Sequence, residues 1–321
     1  ACTLPVSVSP AVTESPTVQP TALTAVPLQP TAQPGTEGNP LILALAPAAQ
    51  NTTELVQTGQ SLAARLQSLT GYNIALVAPT SEQETLRAIS AGNIQIAVLS
   101  PFAYLEASRK GEVSPLLSRV RDGEALYGAQ FIARSDTGFK SYFDSARGEN
   151  TAEAPEALLQ FQDRKPCWSD PASPSGYVVP LGFLKQAGVT VREPAFVEGQ
   201  PTVVRAVYGK GICDFGATYI DARRLRALED DYPDVLEKVL VIWQIPAVIP
   251  YEVVAAASGV NPEIQRSLLR AFIDIMNTPD GKLLIQTVYG IDAFQPAGDS
   301  LYHDFGTYVD ASGLDLNTLI K

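Results

Sequence analysis

Apolar runs alternate with amphipathic stretches in the first folded part of the chain. Short apolar runs at Leu41–Ala46, Asn73–Ala78 and Ile94–Leu99 predict strands. Between them, leucines recur at helical spacing in Glu54–Leu69, and Ser81–Ala91 opens with a serine followed three residues later by a glutamate, as capped helices do. The order β-α-β-α-β predicts a parallel sheet with right-handed crossovers, whose ligands gather at the carboxyl ends of the strands.

The same alternation begins again after an extended run at Tyr127–Ala133. Helices are predicted at 154–161, 175–187, 201–208, 262–276 and 281–289, strands at 165–169, 195–197 and 212–217, and extended segments at 239–242 and 251–257. This pattern predicts an α/β fold of two lobes, each a mostly parallel sheet flanked by helices, joined by crossing strands with a ligand cleft between them. We expect residues 41–130 and 245–321 to form the first lobe and residues 131–244 to form the second.

The first 40 residues differ from the rest in composition. They are rich in Pro, Thr, Ala, Val and Gln, and Glu14 and Glu37 are their only charges. Such a segment cannot bury enough apolar surface to fold, so residues 1–40 are predicted to be a disordered tether. Cys2 at its start is typical of a processed bacterial lipoprotein, which predicts an extracytoplasmic protein anchored to the membrane by a lipid. The alternative is a stray thiol in an unstructured terminus.

The net charge and the lengths of the apolar runs argue against nucleic-acid binding and against a membrane span. The net charge of −11 leaves no basic face for nucleic acid. No run of ~18 apolar residues occurs, so no membrane span is expected. His303 is the only histidine and follows Tyr302 in a predicted polar loop, which argues against acid–base catalysis that relies on histidine and against a zinc site. We expect no metal and no cofactor.

The segment Asp170–Tyr177 has the strongest chemical pattern in the chain. It lies between a predicted strand and a predicted helix, and it contains the hydroxyls of Ser173 and Ser175 followed by Gly176. Hydroxyls, free backbone N–H groups and the positive end of a helix dipole together suit an oxyanion. The alternative is that both serines are only turn and cap residues.

Cys167 and Cys213 lie near the ends of two predicted strands, and each is followed by an aspartate within three residues. In an exported protein an isolated pair of cysteines is more often bridged than free. If their strands are neighbours in the sheet, the two thiols lie close enough to bond. We therefore expect a disulfide between them.

Further motifs accompany the Asp-Pro-x-Ser-x-Ser-Gly-Tyr signature along the chain. They are Ala91–Pro101, Arg134–Gly138, Gly211–Asp214 and Gly298–Tyr302. In this order, from about Leu41 to the C-terminus, the motifs resemble those of the phosphonate, phosphite and phosphate binding proteins of ABC import systems. That family is a branch of the type II periplasmic binding fold, and the resemblance implies a monomeric receptor that presents a small phosphorus oxyanion to a membrane permease.

The resemblance also implies which residues contact the ligand. The second lobe contributes Ser173, Ser175 and the backbone amides of Gly176 and Tyr177 to hold the oxyanion and Thr218 and Tyr219 to line the cleft, and the first lobe contributes Ser100 and Tyr104 to close over it. Two positions depart from the family pattern. Gln200 stands where a histidine is common, and Glu82, beside Ser81 at a helix start, replaces a tyrosine. Glu82 either favours an amino group on the ligand or caps its helix; all three residues are candidate ligand contacts.

Other functions fit the same fold. The ligand could be a sulfonate or another small organic anion, and the chain could be an extracytoplasmic sensor module. A hydrolase using Ser173 or Ser175 is a third alternative, but neither serine lies in a Gly-x-Ser-x-Gly elbow. We therefore expect a binding protein rather than an enzyme.

Overall fold

The computed structural model describes residues 33–47 and 53–321, which contain thirteen strands and eleven helices. The strands are β1 (Leu41–Ala44), β2 (Ile74–Val77), β3 (Ile96–Leu99), β4 (Val113–Val120), β5 (Leu126–Arg134), β6 (Phe143–Asp144), β7 (Glu149–Asn150), β8 (Pro166–Trp168), β9 (Ala195–Phe196), β10 (Phe215–Tyr219), β11 (Val239–Pro250), β12 (Val253–Ala257) and β13 (Ala293–Pro296). The helices are α1 (Thr53–Thr70), α2 (Glu82–Ser90), α3 (Pro101–Arg109), α4 (Ala154–Leu158), α5 (Val179–Gln186), α6 (Gln200–Gly209), α7 (Arg226–Asp231), α8 (Val235–Lys238), α9 (Pro262–Met276), α10 (Pro279–Tyr289) and α11 (His303–Ser312).

The first lobe is built on a sheet with the strand order β13-β4-β12-β3-β1-β2. β1 pairs in parallel with β2 and with β3, and α1 and α2 form the crossovers between these strands. Leu62 and Leu66 of α1 are fully buried in the core of this lobe, as their helical spacing predicted. The carboxyl end of β3 delivers Ser100 to the start of α3.

The second lobe is built on a sheet with the strand order β11-β5-β10-β8-β9. β8 pairs in parallel with β10 and with β9. Because parallel strands end at the same edge of a sheet, the segment that follows β8 lies near Tyr219, the last residue of β10. This edge carries most of the candidate ligand residues of the second lobe.

The expectation that each sheet is mostly parallel was wrong. β12 runs antiparallel to both β3 and β4, and β13 runs antiparallel to β4. In the second lobe β5 runs antiparallel to both β10 and β11. Helical crossovers produce the parallel pairs, whereas strands that return from the other lobe without such a crossover enter each sheet in the opposite direction.

The chain crosses between the lobes next to two long strands. The sequence predicted lobe borders at positions 130/131 and 244/245. These positions fall inside β5 and β11, which pair with each other in the second sheet over Leu126–Arg134 and Val239–Pro250. The crossings lie in the connections between β4 and β5 and between β11 and β12. Tyr127 and Tyr251 stack there, with their ring centroids 4.8 Å apart.

The end of the predicted tether is packed on the first lobe. The Gly35 amide donates to the Asn39 carbonyl at 2.7 Å, and the Asn73 amide donates to the Gly35 carbonyl at 2.8 Å. Gly35 is buried against the Tyr72 ring. Backbone pairing therefore orders residues that composition alone assigned to the tether, while Cys2 lies outside the described residues.

Helix α11 connects the cores of the two lobes. Its Phe305 ring lies 5.3 Å from Phe102 of α3, and its Tyr308 ring stacks at 3.8 Å on Phe183 of α5. Gly182 allows this close approach, because a Cβ atom there would lie 2.2 Å from the Tyr308 carbonyl oxygen. One hydrophobic cluster consequently includes residues from both sheets.

Candidate functional site

The serine turn, Asp170–Tyr177, connects β8 to α5. The Asp170 carboxylate accepts a hydrogen bond from the Ala172 amide at 2.8 Å, and the Asp170 carbonyl accepts from the Ser173 amide at 3.0 Å. The Ser173 hydroxyl accepts from the Gly176 amide at 3.0 Å, at the start of a π-helical turn that leads into α5. Short polar side chains thus end the strand and start the helix by bonding to the backbone.

Gln200, the first residue of α6, gathers the hydroxyl of Ser169 and the two hydroxyls of the serine turn. Its amide nitrogen lies 3.4 Å from the Ser169 hydroxyl, 3.2 Å from that of Ser173 and 3.3 Å from that of Ser175. Its amide oxygen accepts from the Tyr219 backbone N–H at 3.1 Å. Because the hydroxyl oxygens face an amide donor, their protons are free to point elsewhere, which makes the cluster a set of donors for an oxyanion.

Gly176 lies at the tightest point of this cluster. A Cβ atom there would lie 2.0 Å from the Ser169 hydroxyl oxygen and 2.8 Å from the Gln200 amide nitrogen. Only glycine lets the backbone of the turn approach the hydroxyl cluster this closely.

The other predicted residues of the second lobe lie around the serine turn. The Tyr177 ring packs against Trp168 at 5.7 Å and edge-on against Phe196 at 5.0 Å, within the second lobe. The Thr218 hydroxyl is fully buried and donates to the Tyr219 carbonyl at 3.0 Å. Tyr219 reaches the serine turn through its amide, by way of Gln200.

A cavity of about 270 Å³ lies between the two lobes. Glu82 and Ser100 line it from the first lobe, and Ala172 and Pro174 of the serine turn line it from the second. The crossing segments form its back wall. The structure thus brings the start of α2, the start of α3 and the serine turn to one cleft.

The start of α3 is occupied by an acidic side chain. The Glu82 carboxylate accepts from the Ser100 amide and from the Ser100 hydroxyl, each at 2.7 Å. The Ser100 hydroxyl in turn accepts from the Ala103 amide at 3.3 Å. Helix α2 has its own cap, because the Ser81 hydroxyl accepts from the Glu84 amide at 3.1 Å. Glu82 therefore caps the neighbouring helix instead of its own.

The first-lobe wall of the cleft is acidic. Burial raises the pKa of Glu82; the hydrogen bonds from Ser100 oppose this effect and the nearby Glu252 carboxylate adds to it. Glu252 also lines the cavity and forms an ion pair with Arg119 at 3.1 Å. Two carboxylates beside the cleft repel a bare anion unless a cation or a proton lies between them.

Sequence reasoning missed the residues of the back wall. Tyr127 and Tyr251 line the cavity. Burial raises the pKa of Tyr127, which keeps its phenol protonated and able to donate. Each tyrosine is the first residue of a predicted extended segment near a lobe crossing, and this position could have marked it as a residue of the cleft. Glu252 and Lys321 had no comparable signal.

Tyr104 lies away from this cleft. Its ring is buried against that of Tyr302 with centroids 4.1 Å apart, and its hydroxyl donates to the Asp299 carboxylate. It lines a separate groove with Arg109 and Asp310. The structure therefore brings Ser100, and not Tyr104, to the serine turn.

A disulfide joins Cys167 of β8 to Cys213, just before β10, with the Cα atoms 5.6 Å apart. It ties the strand that delivers the serine turn to the strand that ends at Tyr219. In the described ranges no group of three or more His, Cys, Asp or Glu side chains is arranged to hold a metal ion. The same ranges include no helix that is long and apolar enough to span a membrane.

Comparisons with known proteins agree with the fold. Residues 45–302 match the family described as the phosphonate periplasmic substrate-binding proteins of ABC transporters. A curated relative, the phosphate-import protein PhnD of Mycolicibacterium smegmatis, is 26% identical over 255 residues, which cover 75% of this chain and 74% of the relative.

Two solved structures share the architecture. A Xanthomonas citri protein bound to ATP has a TM-score of 0.60 and 15% identity, covering 85% of this chain and 96% of its own. PhnD1 of Prochlorococcus marinus, in complex with methylphosphonate, has a TM-score of 0.53 and 13% identity, covering 84% and 98%. These neighbours confirm the predicted two-lobed α/β fold.

The family match spans most of the chain, including β3, the serine turn and both lobe crossings. Its description gives a protein outside the cytoplasm that binds a small molecule and works with a membrane transporter. The chain therefore belongs to the phosphonate-binding family of periplasmic substrate-binding proteins of ABC transporters.

Proposed function

We propose that this protein captures an aminoalkylphosphonate in the cleft between its lobes. One observation carries the proposal: one wall of the cavity is formed by the serine turn, through Ala172 and Pro174, and the opposite wall carries the carboxylates of Glu82 and Glu252. The hydroxyls within that turn are gathered by Gln200. A ligand with an oxyanion at one end and an ammonium group at the other matches both walls.

The phosphonate oxygens bind at the serine turn. The hydroxyls of Ser173 and Ser175 donate to them, the helix start adds a favourable dipole, and Gln200 holds the hydroxyls in place. The Tyr127 hydroxyl adds a donor from the back wall of the cavity.

The ammonium group binds at the first-lobe wall. Glu82 has both carboxylate oxygens on Ser100, yet each oxygen keeps a lone pair for a further donor. The stacked rings of Tyr127 and Tyr251 supply aromatic surface of the kind that attracts cations. Closure of the lobes then surrounds both charged ends of the ligand.

Inorganic phosphate is the second candidate ligand. The curated relative is a phosphate-import protein. A phosphate P–OH group donates a hydrogen bond, so it also satisfies a carboxylate such as Glu82.

In this proposal the protein binds without catalysis, as a monomer, and passes its ligand to an ABC permease. Cys2 carries the lipid that holds the protein at the outer face of the membrane. The Pro- and Thr-rich composition of the segment that follows Cys2 supports this anchoring. Incorporation of a radiolabelled fatty acid into the protein in bacterial cells, and its loss in Cys2→Ala, tests it.

Titration calorimetry with four ligands tests the proposed ligand. We expect 2-aminoethylphosphonate to bind more tightly than methylphosphonate, phosphate and taurine. Taurine is its sulfonate counterpart and keeps the amino group, so it isolates the contribution of the phosphonate. Phosphate as the tightest ligand would favour the second candidate, and no heat with either phosphonate or with phosphate would overturn the proposal.

A further inference from the structure

Lys321 is anchored to the first lobe by its backbone. The Glu82 amide donates to the Lys321 carbonyl at 2.7 Å, and the Gln83 side chain donates to the Ile320 carbonyl at 3.2 Å. Leu319 and Ile320 just before it are buried in the core that both lobes share. The position of the Lys321 backbone is therefore fixed beside the acidic wall of the cleft.

The side chain of Lys321 extends to the opposite lobe. Its ammonium lies 3.0 Å from the Asp170 carboxylate at the start of the serine turn. Partial burial opposes ionisation of Asp170, but the Ala172 amide and the Lys321 ammonium outweigh it and lower the pKa of this carboxyl. Lys321 thus bridges the cleft from one wall to the other.

Lys321 also supplies a charge that the cleft otherwise lacks. Of the described residues that line the cavity, it is the one cation, beside Glu82 and Glu252. Its ion pair with Asp170 is open to solvent, the two side chains being 71% and 41% exposed. Such a pair is held weakly, so the ammonium can exchange partners easily.

We infer that Lys321 is a ligand-binding residue whose ammonium moves from Asp170 to the bound oxyanion. The inference rests on the proposed function, because it requires an oxyanion at the serine turn. Asp170 holds the ammonium at the cleft when no ligand is bound and competes with the ligand for it. The bound oxyanion thereby gains a contact from the first lobe in addition to its donors on the second.

Calorimetry with methylphosphonate, 2-aminoethylphosphonate and phosphate, at low and moderate salt, tests this role. We expect Lys321→Met to weaken the tightest of these by about tenfold, as loss of a charge-assisted hydrogen bond implies. Lys321→Arg should keep most of the affinity. Lys282→Met, an exposed lysine of α10, is the matched control and should bind like the unmodified protein.

Asp170→Asn separates ligand binding from a purely structural bridge. Asparagine keeps the oxygen that accepts from Ala172 but removes the charge that competes for Lys321, so affinity should rise or stay level. Equal affinity in Lys321→Met and the unmodified protein, or parallel losses in Lys321→Met and Asp170→Asn, would overturn the role of Lys321 alone. If the unmodified protein binds none of the three anions, the proposed function fails together with it.

Discussion

Glu82 combines a structural role with a place in the wall of the cavity. Its carboxylate caps α3 through Ser100, a structural role that holds the side chain in one place. The same carboxylate lines the cavity between the lobes, where burial and Glu252 raise its pKa. A partly buried carboxylate with free lone pairs selects ligands that bring a proton or a positive charge.

Glu82→Gln should lower the affinity for 2-aminoethylphosphonate by about tenfold or more and leave methylphosphonate level or somewhat tighter, because the amide keeps the shape of the side chain but loses the charge that pairs with the ammonium and repels a bare anion. Isothermal titration of both ligands measures this difference. Equal effects on the two ligands would contradict the assignment of Glu82 to the ammonium.

The pH dependence of binding should follow the raised pKa of Glu82. An ordinary glutamate has a pKa of 4.5, and Glu82 takes up its proton at a higher pH than that. As the pH is lowered, the preference for the amino ligand should therefore begin to decline before pH 4.5 is reached. Methylphosphonate is the control for ionisation of the phosphonate itself. The affinity ratio of the two ligands should become independent of pH in Glu82→Gln.

Position 176 has room only for glycine. Gly176→Ala should weaken phosphonate binding by more than about tenfold, because its Cβ would displace Ser169 and Gln200 from the hydroxyl cluster. Gly259→Ala is the control, since nothing lies within 4 Å of a Cβ atom there. Comparable affinity in both variants would show that the cluster tolerates the change.

At the scale of elements, β8 and β10 determine where the serine turn lies. They run parallel, end at the same edge and are joined by the disulfide from Cys167 to Cys213. Gln200 of α6 then bonds to both strand ends, through the serine hydroxyls and the Tyr219 amide. The turn is thus supported by covalent and hydrogen-bonded links to elements on either side.

Removing the disulfide should destabilise the protein more than it changes the site. For a sequence separation of 46 residues, loop-closure entropy gives a loss of about 4 kcal/mol in the free energy of unfolding for Cys167→Ala with Cys213→Ala. Urea unfolding measures the loss, and phosphonate affinity in the absence of urea should fall only slightly. A stability unchanged by the double substitution would contradict the prediction.

At the scale of the whole molecule, the two lobes share a core. Helix α11 packs Phe305 on the first lobe and Tyr308 on the second, and the segment that ends at Ile320 is buried with them. Separate lobes with independent cores would unfold independently, whereas a shared core couples them.

Unfolding should therefore occur in one transition for both lobes. Trp168 and Trp243 both lie in the second lobe, so their fluorescence reports that lobe, while far-ultraviolet circular dichroism reports helices in both. The two signals should change at the same urea concentration. Separate midpoints for fluorescence and circular dichroism would show that the lobes unfold apart.

Local patterns in the sequence determined much of this molecule. The alternation of strands and helices, the serine turn and the capping Ser81 are read from neighbouring residues, because hydrogen bonds to nearby backbone groups and the period of apolar positions decide them. The motifs of the family follow the same chain order, and the family match confirmed the predicted resemblance.

Only the tertiary structure decided which side chains meet in the cleft. Glu82 reaches Ser100 across 18 residues, and Lys321 reaches Asp170 across 151, contacts that no local pattern encodes. Tyr104 bonds to Asp299, far from it in the chain, and lies away from the cleft. The sequence by itself determined the serine turn and its hydroxyls, and the packing of two lobes decided which charges lie across the cavity from it, since that packing brings together residues that lie far apart in the chain.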